Sequence, residues 1–229
     1  MTQVAPSKLT PSGLAPARAA DPDRISRRQV DKFAERRAQL AESALLTLSE
    51  LGYARTSLRE IAQNSEFSHG VLHYYFRDKV DLITHCVREY KARCVTRYDQ
   101  IAASAATAEE LRIGFAAGLS QTMVEDAHLH RLWYDLRSQS MFEESFREDV
   151  AAIDASLERM IWRIVGQFAD LAGSTPSMPP ATAYAIFDGL FQHALIKHLF
   201  GDESAVQQLR TQVEDLLPTM AAATAASAT

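Results

Sequence analysis

The chain has 229 residues, 47% of them hydrophobic, with a net charge of −5 and two cysteines, which is ample apolar material for one large domain or two modest ones. No apolar run of about 18 residues or basic-then-apolar start supports a membrane span or a secretory leader, so a cytoplasmic location is expected. Cys86 and Cys94 lack the close Cys or His partners of a zinc site and read as reduced thiols in a core, so neither a metal nor a cofactor is expected.

Residues 1–24 are rich in Pro, Ala, Ser and Thr and are expected to form a disordered tail. Arg24, Arg27 and Arg28 follow it, placed either as a solvated helix start or as an arm for a minor groove. From about Arg28 to Leu51, Phe33, Leu40, Ala41, Ala44, Leu45 and Leu48 repeat at helical spacing, and Gly52 supplies a left-handed stop. Ser57 and Glu60 form a capping box that opens a short second helix ending near Asn64. Ser68 caps a third helix through about Tyr74, which leaves only Ser65–Phe67 for the connection. Two helices joined so tightly must cross steeply, as in a helix-turn-helix.

Asp78 and Asp81 begin a long fourth helix whose stripe is Ile83, Cys86, Val87, Tyr90, Cys94, Tyr98 and Ile101. Further helices are predicted near 108–125, 129–140, 145–172, 180–200 and 203–217, without strand-like alternation, and the run from Ala221 to Thr229 should fray. In the helix opened by Pro180, Tyr184, Phe187, Phe191, Ala194 and Leu195 share one face and Ile186, Leu190 and Leu199 another. Apolar residues on two faces need cover on two sides, for which homodimerisation through this helix and its predecessor is the economical explanation.

The charge is unevenly placed. Arg24 to Lys91 carries +3, whereas Ala92 to Thr229 carries −8, a distribution that suits presenting one end to phosphates. In the third helix Leu72 and Phe76 form the inward pair, leaving His69, Gly70, Val71, His73 and Tyr74 on the exposed side. There the histidines can hydrogen-bond base edges, Val71 can meet a thymine methyl, and Gly70 allows close backbone approach. Ser57, Tyr74, Tyr75 and Lys79 lie at helix ends where phosphates are fixed.

Residues 56–79, with Thr-Ser-Leu-Arg-Glu-Ile-Ala, then Ser-His-Gly-Val-Leu-His-Tyr-Tyr-Phe and Lys79, resemble the DNA-binding head of the TetR family. The likeness covers about Gln29 to Leu82 and implies an all-α protein with an N-terminal three-helix helix-turn-helix domain over 25–78. A larger helical-bundle domain for dimerisation and ligand binding would follow over 79–217, with a second disordered tail at 218–229. It also implies that Ser57, Arg59, Ser68, His69, Gly70, Val71, His73, Tyr74, Tyr75 and Lys79 face DNA. Two departures stand out. The turn reads Ser65, Glu66, Phe67 where the family has a small residue, glycine and an aliphatic, so a left-handed Glu66 would cost about 1 kcal/mol. His73 replaces the usual tyrosine, so altered sequence preference and a pH-dependent contact are expected.

The stretch Leu132 to Val150 looks like the body of the BetI-type branch of that family. In the middle of the chain Trp133, Tyr134, Arg137, Met141, Phe142, Phe146, Trp162 and Phe168 concentrate aromatics that can line an effector pocket, with Arg137 or His193 as a polar anchor. His128 and His130 sit on different sides of a helix and read as a loop or cap. The expected function is a homodimeric repressor released from a palindromic double-stranded DNA operator by a small-molecule effector. The alternatives are an activator without an effector, or an all-helical carrier or enzyme, although no catalytic constellation is present.

Overall fold

The computed structural model describes residues 22–52 and 56–223. These divide into a part ending at Arg36 and a part beginning at Arg37. Of the tail expected over 1–24, residues 1–21 lie outside the described residues, as do 224–229 and the side chains of Arg24, Arg27 and Arg28, whereas Pro22, Asp23 and Arg24 already belong to the first helix.

Helix α1 runs Pro22–Leu51, starting earlier than its apolar repeat because Arg24 to Gln29 carry no helix breaker. Phe33 is 40% exposed and so stands outside the core stripe expected for it. Leu40, Ala41, Ala44, Leu45 and Leu48 are buried. Gly52, at φ 74°, ends the helix by donating its N–H to the Leu48 carbonyl at 2.8 Å.

Helix α2 spans Leu58–Gln63. The Ser57 hydroxyl accepts the Glu60 N–H at 3.2 Å while the Ser57 N–H donates to Glu60 Oε2 at 2.7 Å, satisfying two orphan donors at once. Helix α3 spans His69–Tyr75, with the Ser68 hydroxyl accepting the Val71 N–H. Among the described residues none but glycine has positive φ. The turn is therefore made without a left-handed Glu66, and the strain expected there does not arise. Leu40, Leu48, Ile61, Leu72, Phe76 and Ile83 are each at most 1% exposed and share one apolar cluster. Burying each such side chain stabilises by about 1.5–3 kcal/mol.

Helix α4 spans Lys79–Ser104, capped by Asp78. Then follow α5 (Ala108–Glu125), α6 (Ala127–Gln139), a 3-10 turn at Glu144–Phe146, α7 (Arg147–Leu171), α8 (Pro180–Leu199) and α9 (Ala205–Thr219). α4 packs on α7, and α5 on α9. The α4–α5 approach is close, since a Cβ on Gly118 would come within 2.8 Å of Ile101 Cδ1. Cys86 and Cys94 are free and buried.

Two local expectations fail. Ser174–Pro176 (β1) pairs antiparallel with Ala221–Ala223 (β2), Ser174 opposite Ala223, so this part of the C-terminal run is held by a ladder. Three-residue strands leave no alternation to read. His130 lies within α6 and is 4% exposed, neither in a loop nor at a cap, because the helix starts at Ala127 and turns it inward.

Candidate nucleic-acid interface and effector cavity

At the tip of the helix pair, α3 is held from beneath by Leu72 and Phe76, and its other face is open. His69, Gly70, His73 and Tyr74 are exposed, Tyr74 by 72%, and Val71 is half-buried against the core. A Cβ on Gly70 would meet nothing within 4 Å, so no neighbour among the described residues requires glycine there. The rings of His69 and His73, one turn apart, meet edge to face with centroids at 4.4 Å and Nε2 atoms 3.2 Å apart. Ser57, Arg59 and Ser68 are exposed and flank this surface in sequence, with Tyr75 and Lys79 half-buried. The hydroxyls of Ser57 and Ser68 accept cap bonds through oxygen, leaving each O–H proton to donate.

The α3 end is fastened by Asp81. Its carboxylate accepts from Arg37 Nη2 at 2.5 Å and from the Arg77 N–H at 3.1 Å, while Asp78 Oδ1 accepts the Asp81 N–H. The Arg37 guanidinium also lies 4.9 Å from the centre of the Phe76 ring.

Deeper in the chain, α4 to α8 line a partly open cavity of about 60 Å³. α4 contributes Lys91, Cys94 and Tyr98; α6 contributes His130, Trp133 and Tyr134; α8 contributes Tyr184, Phe187, Asp188 and Phe191. Lys91 Nζ is 3.2 Å from His130 Nδ1, and Tyr90 Oη is 2.9 Å from His130 Nε2. Because a lysine ammonium can only donate, His130 accepts at Nδ1 and donates from Nε2 to Tyr90. Burial, and then the Lys91 charge, holds His130 well below the usual histidine range, in keeping with that neutral form. Burial also lowers Lys91 to about 8, against the pull of Cys94, Asp188, Asp126 and Asp154.

Of the residues expected to line a pocket, Trp133 and Tyr134 line this cavity. Arg137 stands behind the wall, pairing with Asp188 and, at 3.3 Å, with Asp154. Met141 and Phe142 are 69% and 81% exposed in the turn after α6, and His193 is exposed on α8, so none of the three reaches the cavity. Phe146 and Phe168 are buried in the apolar cluster and Trp162 is half-buried against it, none of them on the cavity wall. The residues that were missed had a readable signal. Lys91 sits one residue after Tyr90 and three before Cys94, a charge inside an apolar stripe. His130 lies on α6 three residues before Trp133 and four before Tyr134, the spacing that shares a helix face.

A capped helix presented to solvent on a helical body that holds a separate, largely apolar cavity is the architecture of a helix-turn-helix regulator. Residues 40–86 match the family of bacterial regulatory proteins of the TetR type, and residues 108–218 match the C-terminal region of BetI-type transcriptional repressors. The chain is 30% identical over 193 residues to the HTH-type transcriptional regulator BetI of Burkholderia thailandensis, covering 80% of this chain and 93% of that one. It is 28% identical to the BetI of Paraburkholderia phymatum, covering 82% and 95%. Among solved structures, the fold is similar to the transcriptional regulator FadR of Bacillus subtilis in complex with stearoyl-CoA, with TM-score 0.66, 17% identity, and 78% and 96% coverage. It is equally similar to a Saccharomonospora viridis protein in complex with choline, with TM-score 0.66, 17% identity, and 82% and 98% coverage. The chain belongs to the TetR family of transcriptional regulators, in its BetI-type branch.

Proposed function

We propose that this protein is a homodimeric repressor whose α3 helices read a palindromic operator and whose body releases it on binding a small effector. The observation that carries the reading is the exposed face of α3, where His69, Gly70, His73 and Tyr74 project while Leu72 and Phe76 anchor the other side. Two such helices about 34–36 Å apart enter successive major grooves. Base edges would replace the contact that the two histidine rings make with each other, and Arg59, Tyr75, Lys79 and the cap hydroxyls would hold phosphates. In this reading residues 25–78 act as the head and 79–217 as the sensing and dimerising body.

The dimer reading is supported by α8. Its inner face is buried, whereas Ile186 and Leu190 are only half-buried and Ile196, Leu199 and Phe200 stand exposed, Phe200 by 86%. No helix among the described residues is long and apolar enough to cross a membrane, in keeping with action on DNA in the cytoplasm. The effector reading is supported by the cavity and by the ligands held in the FadR and Saccharomonospora viridis structures. The test starts from DNA selected out of a random pool by the full chain. His73→Ala with Lys79→Ala should weaken the mobility shift at least tenfold while light scattering still reports a dimer; unchanged binding would overturn the assignment.

A further inference from the structure

The seven histidines of the chain include one pair four residues apart, His69 and His73, and both lie on α3. Side chains at this spacing sit one above the other on the same face of a helix. The two rings are exposed, with their Nε2 atoms 3.2 Å apart and their planes at 82°. Imidazole nitrogens this close either share one proton or turn both lone pairs on a single cation.

The separation suits the cation. With metal–nitrogen bonds of about 2.0–2.1 Å, two nitrogens on one ion lie about 2.9 Å apart at a right angle and about 3.4 Å apart at a tetrahedral one. The observed 3.2 Å falls between these limits, so small ring rotations reach either geometry. The backbone beneath is already fixed. Leu72 and Phe76 are buried on the opposite side of α3, the Ser68 hydroxyl caps the Val71 N–H, and the Phe76 N–H reaches the Leu72 carbonyl at 2.9 Å. Two ligands on a packed helix lose little further freedom when they bind an ion. Among the described residues no third His, Cys, Asp or Glu completes a larger cluster, so water would fill the remaining positions. Imidazole donors select late first-row divalent ions over Mg²⁺ and Ca²⁺, which take oxygen. The positive end of the helix dipole opposes a cation near His69, but weakly beside two direct bonds.

We propose that His69 and His73 chelate a late first-row divalent cation, Cu²⁺ or Zn²⁺, and that this cation competes with the operator. In the reading of α3 given above, the same two nitrogens face the bases, so an ion that holds them removes those hydrogen bonds. The competition rests on that reading, whereas the chelate stands on the geometry of the pair alone.

Titration calorimetry of the full-length, metal-free protein with Cu²⁺ or Zn²⁺ alone should show one site per chain that binds at least tenfold tighter than any other, and none for Mg²⁺. His69→Ala and His73→Ala should each weaken that site at least tenfold while keeping the wild-type circular dichroism spectrum. The exchange His73→Tyr with Tyr74→His should do the same, since it keeps two imidazoles on α3 but sets them five residues apart. Electron paramagnetic resonance of the Cu²⁺ protein should report two imidazole nitrogens, and fewer in each variant. Affinity unaltered in all three variants, or no tight site in the wild type, would overturn the chelate. In a second arm, saturating Zn²⁺ should weaken wild-type binding to DNA selected by the metal-free protein at least tenfold, and the residual binding of His69→Ala far less. A pair that fills with Zn²⁺ while operator affinity holds would overturn the competition, and with it the placing of these histidines against the bases, but not the chelate.

Discussion

The guanidinium of Arg131 donates to the backbone carbonyl of Ser49, joining α6 to the last turn of α1. A second, longer bond reaches the Glu50 carbonyl at 3.4 Å. On the same side Asp135 sits beside Gly52, where a Cβ would come within 3.3 Å of its carboxylate. α6 thus walls the cavity with His130, Trp133 and Tyr134 and holds the end of α1 with Arg131. A cationic donor at orphan carbonyls of a helix C-terminus is favourable on both hydrogen-bond and dipole grounds.

That connection predicts a coupling. Cys94→Met puts extra volume into the cavity and should act as a built-in effector, weakening operator binding several-fold. In the Arg131→Ala background the same substitution should have less effect, with an interaction energy of about 0.5–3 kcal/mol in a double-mutant cycle. Fluorescence anisotropy on labelled operator measures it, and strict additivity of the two effects would remove α6 as the connecting element.

Gly70→Ala separates folding from DNA recognition. An added methyl meets no neighbour within 4 Å among the described residues, and in the first turn of α3 alanine is favoured over glycine by at most the about 1 kcal/mol of a helix interior, so the thermal midpoint should hold or rise. Operator affinity should nonetheless fall, because the methyl occupies space where the backbone nears the base pairs. A melt together with a mobility shift checks both halves.

Asp81→Asn should loosen α3 without touching its exposed face. The substitution removes the charge opposite Arg37, a partly buried cation whose Nε has no acceptor among the described residues. A loss of about 1–3 kcal/mol in urea unfolding is expected.

How much of this was legible beforehand follows how local each feature is. Ser57 with Glu60, Ser68 and Gly52 declare the helix ends through neighbours three or four residues away, and the structure uses each as expected. The open face of α3 was legible for the same reason, once Leu72 and Phe76 were taken as its anchor. The cavity was not. Its wall comes from five helices, so no single stretch contains it, and an aromatic-rich run such as Trp133 to Phe146 mixes wall, core and surface residues. Met141 and Phe142 fall past the end of α6, where the chain turns outward. Lys91 was overlooked because a lysine in an apolar stripe is easily taken for an exposed edge residue.

Lys91 also predicts a pH effect on stability. Burial lowers its proton affinity to about 8 from an ordinary 10.5, so between these values the unfolded chain binds more protons than the folded one. Stability from this group therefore rises with pH across that window, by at most about 1.4 kcal/mol per unit. Facing Lys91 are Tyr90, Cys94, Asp126, His130, Asp154 and Asp188. Cys86 and Tyr90, Tyr98, Tyr134 and Tyr184, all raised by burial, act in the opposite sense above pH 9. The difference between wild type and Lys91→Met isolates the lysine; chemical denaturation at pH 7.5 and 9 should show the advantage of the methionine shrinking, and a constant gap would refute it.

Leu190→Glu places a charge on the outward face of α8, half-buried within one chain. Light scattering should then report monomers, and operator binding should drop with the lost second half-site. A dimer that survives this change would put the interface elsewhere.

The short ladder between Ser174–Pro176 and Ala221–Ala223 has a practical side for anyone attaching a reporter. Met220, fully enclosed, plugs the body immediately before that ladder, and the Ser177 N–H grips its carbonyl at 2.8 Å. Fluorophores or affinity handles spliced after Ala223 leave the plug seated, whereas trimming the chain ahead of Met220 would uncork the interior.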